Sequence, residues 1–200
     1  QLYIGNYDRD RFAELYVFTT HRDSVFLNVN EFFEPNGLHL ERIFISTVNL
    51  VEGHIDSNLK QIGFFDQNKD GKNEFYFSIT SGFGLWPRLC YFYDLKNQKL
   101  KSSPFTGVNF NKPTLEDIDE DFRPDLFSNM TASGNYETPT PFTDYSAWLM
   151  VLNDQLEFKF PPIEFPGFGG SLDIFSAGTH LIVVYHFQGA DKPIHEPGVM

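Results

Sequence analysis

Asp66-Gln67-Asn68-Lys69-Asp70-Gly71-Lys72-Asn73-Glu74 is the stretch on which the reading of this chain turns. Oxygen-bearing side chains stand at its positions 1, 3, 5 and 9. The same spacing returns upstream in Asn6-Tyr7-Asp8-Arg9-Asp10-Arg11-Phe12-Ala13-Glu14. It returns downstream in Asp117-Ile118-Asp119-Glu120-Asp121-Phe122-Arg123-Pro124-Asp125. The copies begin 60 and 51 residues apart. One copy is a weak signal. Three at near-regular spacing predict a calcium-type loop and, with it, a repeat architecture.

Outward from the second copy the sequence alternates as strands do. Lys60–Phe65 leads in and Glu74–Thr80 leads out. Arg88–Asp94 follows a Gly/Pro loop, and Leu100–Phe105 follows the turn at Lys96-Asn97-Gln98. β-Branched and aromatic enrichment with turn residues every 8–12 positions is an all-β pattern. The first copy has the same layout in Leu2–Gly5, Glu14–Phe18, Ser24–Val29 and Leu40–Ile45. The third has it in Thr114-Leu115, Asp125–Ser128, Ser146–Leu152 and Leu156–Phe160. A fourth unit opens at Ser171–Phe175 and Thr179–Tyr185, with an Ala177-Gly178 turn in place of the acidic loop and its last two strands missing. Four strands in about 50 residues is the period of a propeller blade. The expectation is an all-β fold: a single, partial β-propeller of about three and a half four-stranded blades, near 1–58, 59–111, 112–165 and 166–200. A propeller closes with typically 4–8 blades. Open edges therefore predict self-association or additional blades from a larger parent chain.

Composition bounds the function. The chain has 200 residues, 41% hydrophobic and 17% aromatic, enough for a core, and a net charge of −12. The three loops hold 11 of its 27 acids, so the acidity is patterned. No basic face exists for phosphate, which argues against nucleic acid and anionic membrane surfaces as partners. No apolar run reaches the length of a membrane span, and the first residues do not read as a signal peptide. Cys90 stands alone in a strand-like run, so no internal disulfide is expected, and a buried inert thiol is the default. The six histidines form no zinc pattern; His180 and His186 share one strand face. No nucleophile elbow or phosphate-binding glycine pattern occurs, and the glycines at 167–170 read as a turn between blades. The chain is expected to be non-catalytic.

The loop chemistry has two readings. Alternating side chains of a tight loop converge on one point, position 7 adds a carbonyl, and the acid at 9 closes a calcium cage. Position 12 is Val17, Phe77 or Ser128, so the loops are not EF-hands. Alternatively they are metal-free hairpins in which Asp and Asn bond local backbone. Only the second copy has Gly, Gly71, at position 6, where φ > 0 is usual. Arg11 and Phe122 stand there in the others and either adopt a left-handed conformation or reshape the loop. The expected order of metal occupancy is second, third, first. The third cluster is predicted to need a cation against its own repulsion. Trp86 and Trp148 are candidate sugar-stacking groups, with core packing the favoured alternative. The irregular insertion Thr131–Tyr145, with Tyr136 and Tyr145, is the candidate recognition surface.

These loops resemble the calcium repeats of integrin-α-like propellers, the FG-GAP or VCBS class. The resemblance covers the three loops and the strands after them, most of residues 1–160. The Phe-Gly-Gly-Ala-Pro of that class is absent, and Ile4-Gly5 and Ile62-Gly63-Phe64 are its nearest remnants. Trp86-Pro87-Arg88 with Tyr91–Asp94, and Ser146–Asn153, are similar to propeller sensor regions of bacterial membrane-bound histidine kinases. The resemblance implies structural calcium held by Asn6, Asp8, Asp10 and Glu14; by Asp66, Asn68, Asp70 and Glu74; and by Asp117, Asp119, Asp121 and Asp125. It also implies an extracytoplasmic module, periplasmic or at the cell surface. The function expected is a binding or scaffold module for a protein or glycan ligand, with the sensor part of a signalling receptor as one such module. The alternatives are an adhesin or carbohydrate-binding propeller, and part of a propeller enzyme with its catalytic residues outside this segment.

Overall fold

The computed structural model describes residues 1–31, 38–47, 50–51, 54–55, 57–81, 88–104, 106, 108–110, 113–128, 130–132, 142, 146–167 and 170–187. Trp86, Tyr136, Tyr145 and nearly all of the 131–145 insertion lie outside them. The described residues contain strands and no helix, so the all-β expectation holds. No helix among them is long and apolar enough to cross a membrane.

The first sheet is an antiparallel meander of β1 (Leu2–Gly5), β2 (Glu14–His21), β3 (Ser24–Glu31) and β4 (Leu38–Thr47). A short ladder, β5 (Leu50–Val51) with β6 (His54–Ile55), follows. The second sheet repeats the meander with β7 (Ser57–Phe65), β8 (Glu74–Ser81), β9 (Arg88–Asp94) and β10 (Lys99–Ser102). Strands β1 and β9 have the expected bounds, β2, β3, β4, β7 and β8 run longer than expected, and β10 stops at Ser102, short of the expected Phe105.

The chain continues through β11 (Val108–Phe110), β12 (Thr114–Glu116), β13 (Asp125–Phe127), β14 (Met130–Ala132), β15 (Ser146–Leu149), β16 (Ile163–Pro166), β17 (Ser171–Ala177) and β18 (His180–His186). Here two expectations change. The predicted strands Ser146–Leu152 and Leu156–Phe160 are not a regular pair. Ser146–Leu149 pairs with β16, and only Leu152 carries the ladder on, bridging Leu126 on one side and Phe158 on the other. The cause is a tight turn. Asn153 Oδ1 accepts from the amides of Gln155 and Glu157 at 3.0 and 2.9 Å, and Leu156 takes φ 58°. The third unit is therefore the same four-segment meander cut short. Second, the last sheet runs β11-β14-β17-β18: β17 is flanked by a strand from well upstream. The β17–β18 turn is at Gly178-Thr179, with Gly178 at φ 62°.

Three apolar layers join the sheets. The first lies between sheets one and two and includes Tyr16, Phe18, Leu27, Phe75, Phe77 and Tyr91. The second packs Tyr76, Cys90 and Phe92 against Leu126, Trp148, Met150 and Leu152. The third packs Phe127, Leu149 and Val151 against Leu172 and Ile174. Strand β8 sends Phe75, Phe77 and Ile79 into one layer and Tyr76 into the next, which explains its unbroken apolar run. Trp148 is thus core, and Cys90 is fully buried, its thiol pushed up by that burial. The two ends of the stack stay apolar and exposed: Leu2, Ile4 and Phe44 at one, Phe175, Ile182 and Val184 at the other. His180 and His186 are exposed on β18, and His186 Nε2 lies 2.8 Å from Asp173 Oδ2.

Gly5, the last residue before the first loop, has no room for a side chain. A Cβ there would come within 2.2 Å of the Phe64 ring. That ring is held by Phe75 and Tyr16, with centroids 5.0 and 5.2 Å away. Gly5→Ala is expected to destabilise by about 1–2 kcal/mol in urea denaturation, as overpacking does. Gly63→Ala, whose Cβ would sit 3.7 Å from Leu115, is expected to be near-neutral.

Candidate metal centre

Each acidic loop joins the first two strands of its unit, and each closes on the same register. Gly5 faces Glu14, Phe65 faces Glu74, and Glu116 faces Asp125. The position-9 acid is consequently the first residue of the outgoing strand, and its side chain points into the structure. Glu14, Glu74 and Asp125 are 1%, 2% and 2% exposed. Each accepts a hydrogen bond from the amide of position 2: Tyr7 at 2.6 Å, Gln67 at 2.7 Å and Ile118 at 3.3 Å. Three buried carboxylates held in one manner are the common feature of the loops.

Position 4 is left-handed in all three: Arg9, Lys69 and Glu120 have φ near 60°. Position 6 separates them. Gly71 takes φ 85°, as expected of glycine, and Phe122 follows at φ 64° despite its side chain. Arg11 does not, so the first loop is reshaped. Position 1 explains the difference. Asp66 accepts the amides of Asp70 and Gly71, each at 2.9 Å. Asp117 accepts those of Asp121 and Phe122 at 3.2 and 2.8 Å. Asn6 instead donates through Nδ2 to the carbonyls of Asp10 and Phe12 at 2.7 and 3.1 Å. A carboxylate gathers amides; a carboxamide turned the other way gathers carbonyls. Among the described residues the buried Asn6 Oδ1 has no hydrogen-bond partner.

The surroundings of position 3 differ as much. Asp8 pairs with Lys72 at 3.2 Å. Asn68 donates through Nδ2 to Glu74 Oε1 at 3.2 Å, and its Oδ1 accepts the Asp70 amide at 3.0 Å. In the third loop Lys159 Nζ lies 2.7 Å from Asp119 and 2.8 Å from both Asp125 oxygens. Among the described residues no ion pair reaches Glu14 or Glu74. Asp10 and Asp70 accept amides two residues on, from Phe12 and Lys72. Lys96 adds an ion pair to Asp70 at 2.6 Å, which lowers its carboxyl. Asp121 does the same for Arg123 N and stays outside the cluster.

Burial drives the electrostatics. It pushes the Glu74 carboxyl up from 4.5 to about 7, with Asp94 and Asp66 adding to the rise and the Gln67 amide opposing it. Glu14 is raised for the same reason. Asp125 is also raised by burial, against the pull of Lys159. Exposed Asp119, with the same lysine, is lowered. One ammonium thus serves two carboxylates whose solvation differs.

Asp117, Asp119 and Asp125 offer carboxylate oxygens all within 4.8 Å of one another, a group able to hold a metal ion. Of the four acids expected in that loop, the fold gathers these three. The loops themselves are tied together. Asn73 N donates to Tyr7 O at 2.7 Å and Asn73 Nδ2 to Asn6 O at 2.9 Å. Arg9 reaches Asp66 at 3.6 Å. Asp154, from the tight turn, meets Gln67 Nε2 at 3.3 Å and Arg123 at 3.2 Å. Neither Lys159 nor Asp154 was singled out by the sequence reading. Comparison of the chain with protein-family models, with curated proteins and with solved structures gives no match.

Proposed function

We propose that this chain is a non-catalytic binding or scaffold module, an extracytoplasmic part of a calcium-stapled β-propeller. The observation that carries the reading is Glu74: a carboxylate 2% exposed, at the end of an oxygen-rich loop, with no cation reaching it among the described residues. Burial of an unpaired charge is costly unless a counter-ion joins it. Calcium, a hard cation that takes six to eight oxygens, supplies that charge.

The second loop offers the donor types the ion takes, although among the described residues only Asp117, Asp119 and Asp125 of the third loop are gathered into a group able to hold a metal, and Lys96 pairs with Asp70. Asp66, Asp70 and Glu74 hold their carboxylates in place through backbone amides. Rotation of the Asn68 carboxamide would turn its oxygen to the point where Nδ2 now meets Glu74. Asp70 N keeps Asp66 as acceptor after that rotation. The first loop has Glu14 and the orphaned Asn6 Oδ1 in its favour, but its position-7 carbonyl, Phe12 O, is engaged by Asn6. The ion's role is structural: it fastens two strands and the neighbouring loop. A sensor portion of a receptor suits such a rigid module, with a protein or glycan as its ligand. The apolar end faces support further blades, from the parent chain or a second copy.

Calcium titration of the chelated protein tests this. A Kd of about 10⁻⁴–10⁻³ M would suit an extracellular module. At a hundredfold excess over Kd the gain is about 2.7 kcal/mol, a Tm rise of roughly 5–10 °C for a chain of this size. Asp70→Asn and Glu74→Gln are expected to abolish the rise. An unchanged Tm, with no heat of binding by calorimetry, would overturn the reading.

A further inference from the structure

We infer that the third loop carries its own cation: the Lys159 ammonium occupies the point at which a metal would bind and takes the metal's place. Asp119 and Asp125, positions 3 and 9 of the loop, converge on Lys159 Nζ at 2.7 and 2.8 Å. Both Asp125 oxygens lie 2.8 Å away, a two-pronged grip on one nitrogen. The lysine is held in place from its own backbone. Lys159 N donates to Val151 O at 2.9 Å, beside the Leu152–Phe158 bridge that carries the ladder on from Leu126. Its side chain is 21% exposed.

A divalent ion and an ammonium cannot share this cage, since at about 3 Å like charges repel strongly even in a polar medium. Calcium enters only by expelling Lys159, which would give up three close contacts with carboxylate oxygens. The consequence is a division between loops. Among the described residues no ammonium reaches Glu14 or Glu74, although Lys72 and Lys96 pair with Asp8 and Asp70 in those loops, whereas the closing acid of the third loop is neutralised from within the chain. The lysine comes from the fourth segment of the unit and the acid from the second, so this fastening is part of the polypeptide and a chelator cannot remove it.

The test is a metal count on the full chain, using calcium by calorimetry and terbium by luminescence. Asp119→Asn with Asp121→Asn is expected to leave the wild-type stoichiometry unchanged. Lys159→Met is expected to gain one equivalent, which the same pair of Asn substitutions removes. A wild-type chain that loses an equivalent on D119N/D121N, or a folded K159M chain that gains none, would overturn the inference. If K159M fails to fold, amine labelling of the wild-type chain read by mass spectrometry decides. Lys159 is expected to be protected equally with and without saturating calcium. Faster labelling with calcium would mean that the ion displaces it. Neither readout requires calcium at the second loop, whose failure Asp70→Asn reports separately.

Discussion

Phe75→Ala is expected to remove about 3–5 kcal/mol of stability, the range for deleting a fully buried aromatic side chain. Phe75 is 0% exposed and is shared by two sheets. Its ring lies 4.5 Å from that of Tyr16 and 6.1 Å from those of Tyr3 and Phe18, all on the first sheet. On its own sheet it stacks on Phe64 at 5.0 Å and Phe77 at 5.3 Å. Truncation leaves five rings without their common neighbour, and a rigid aromatic layer collapses poorly into the void. Such a loss is a large share of the roughly 5–15 kcal/mol that holds a typical domain. Urea denaturation should show a lower midpoint with an unchanged slope. Phe122→Ala is the control. That ring is 78% exposed, and its removal is expected to change stability by less than about 0.5 kcal/mol. A Phe75→Ala loss below about 1 kcal/mol would contradict this packing.

The second large effect depends on pH. In the chelated protein Glu74 keeps its proton to about pH 7 when folded, against 4.5 for an unburied glutamate. Between those values the folded state holds a proton that the unfolded state has released. Stability therefore falls as pH rises through that window, and at the full shift the change is about 3 kcal/mol. Glu14 and Asp125, also raised, act in the same direction. Subtracting the Glu74→Gln profile from the wild-type profile isolates the Glu74 share, since glutamine keeps the shape and cannot ionise. Saturating calcium is expected to reverse the slope, because the ion favours the carboxylate and protons compete with it. Parallel profiles for the wild-type and Glu74→Gln proteins between about pH 4.5 and 7 would refute the assignment.

The parts legible in the sequence were those with a period. Apart from the four-residue edge strands β1 and β10, the strands of the first two sheets run seven to ten residues, long enough for alternation and for the spacing of turns to register. The loops announced themselves by their acids. What escaped was short or distant. Strands β11 and β14 have three residues each, too few for a period, and their place beside β17 depends on packing. Leu156–Phe160 alternates like a strand, yet Asn153 folds it into a turn by capping two amides. The need of the third acidic cluster for a cation was readable, but its source was not. Lys159 lies 34 residues beyond Asp125, inside a run whose alternation suggested only an ordinary strand.

The ties that run from the first loop through Asn73 to the second, and from there through Asp154 to the third, have a mechanical meaning. Sliding one sheet past the next stretches both Asn73 bonds and the Asp154 contacts at once. The loop ends of the sheets are accordingly tied against sliding, like leaves sewn along a spine. An ion seated in the second loop would tighten the stitching at its midpoint, and a force applied at the first or the third loop would be felt along the whole seam.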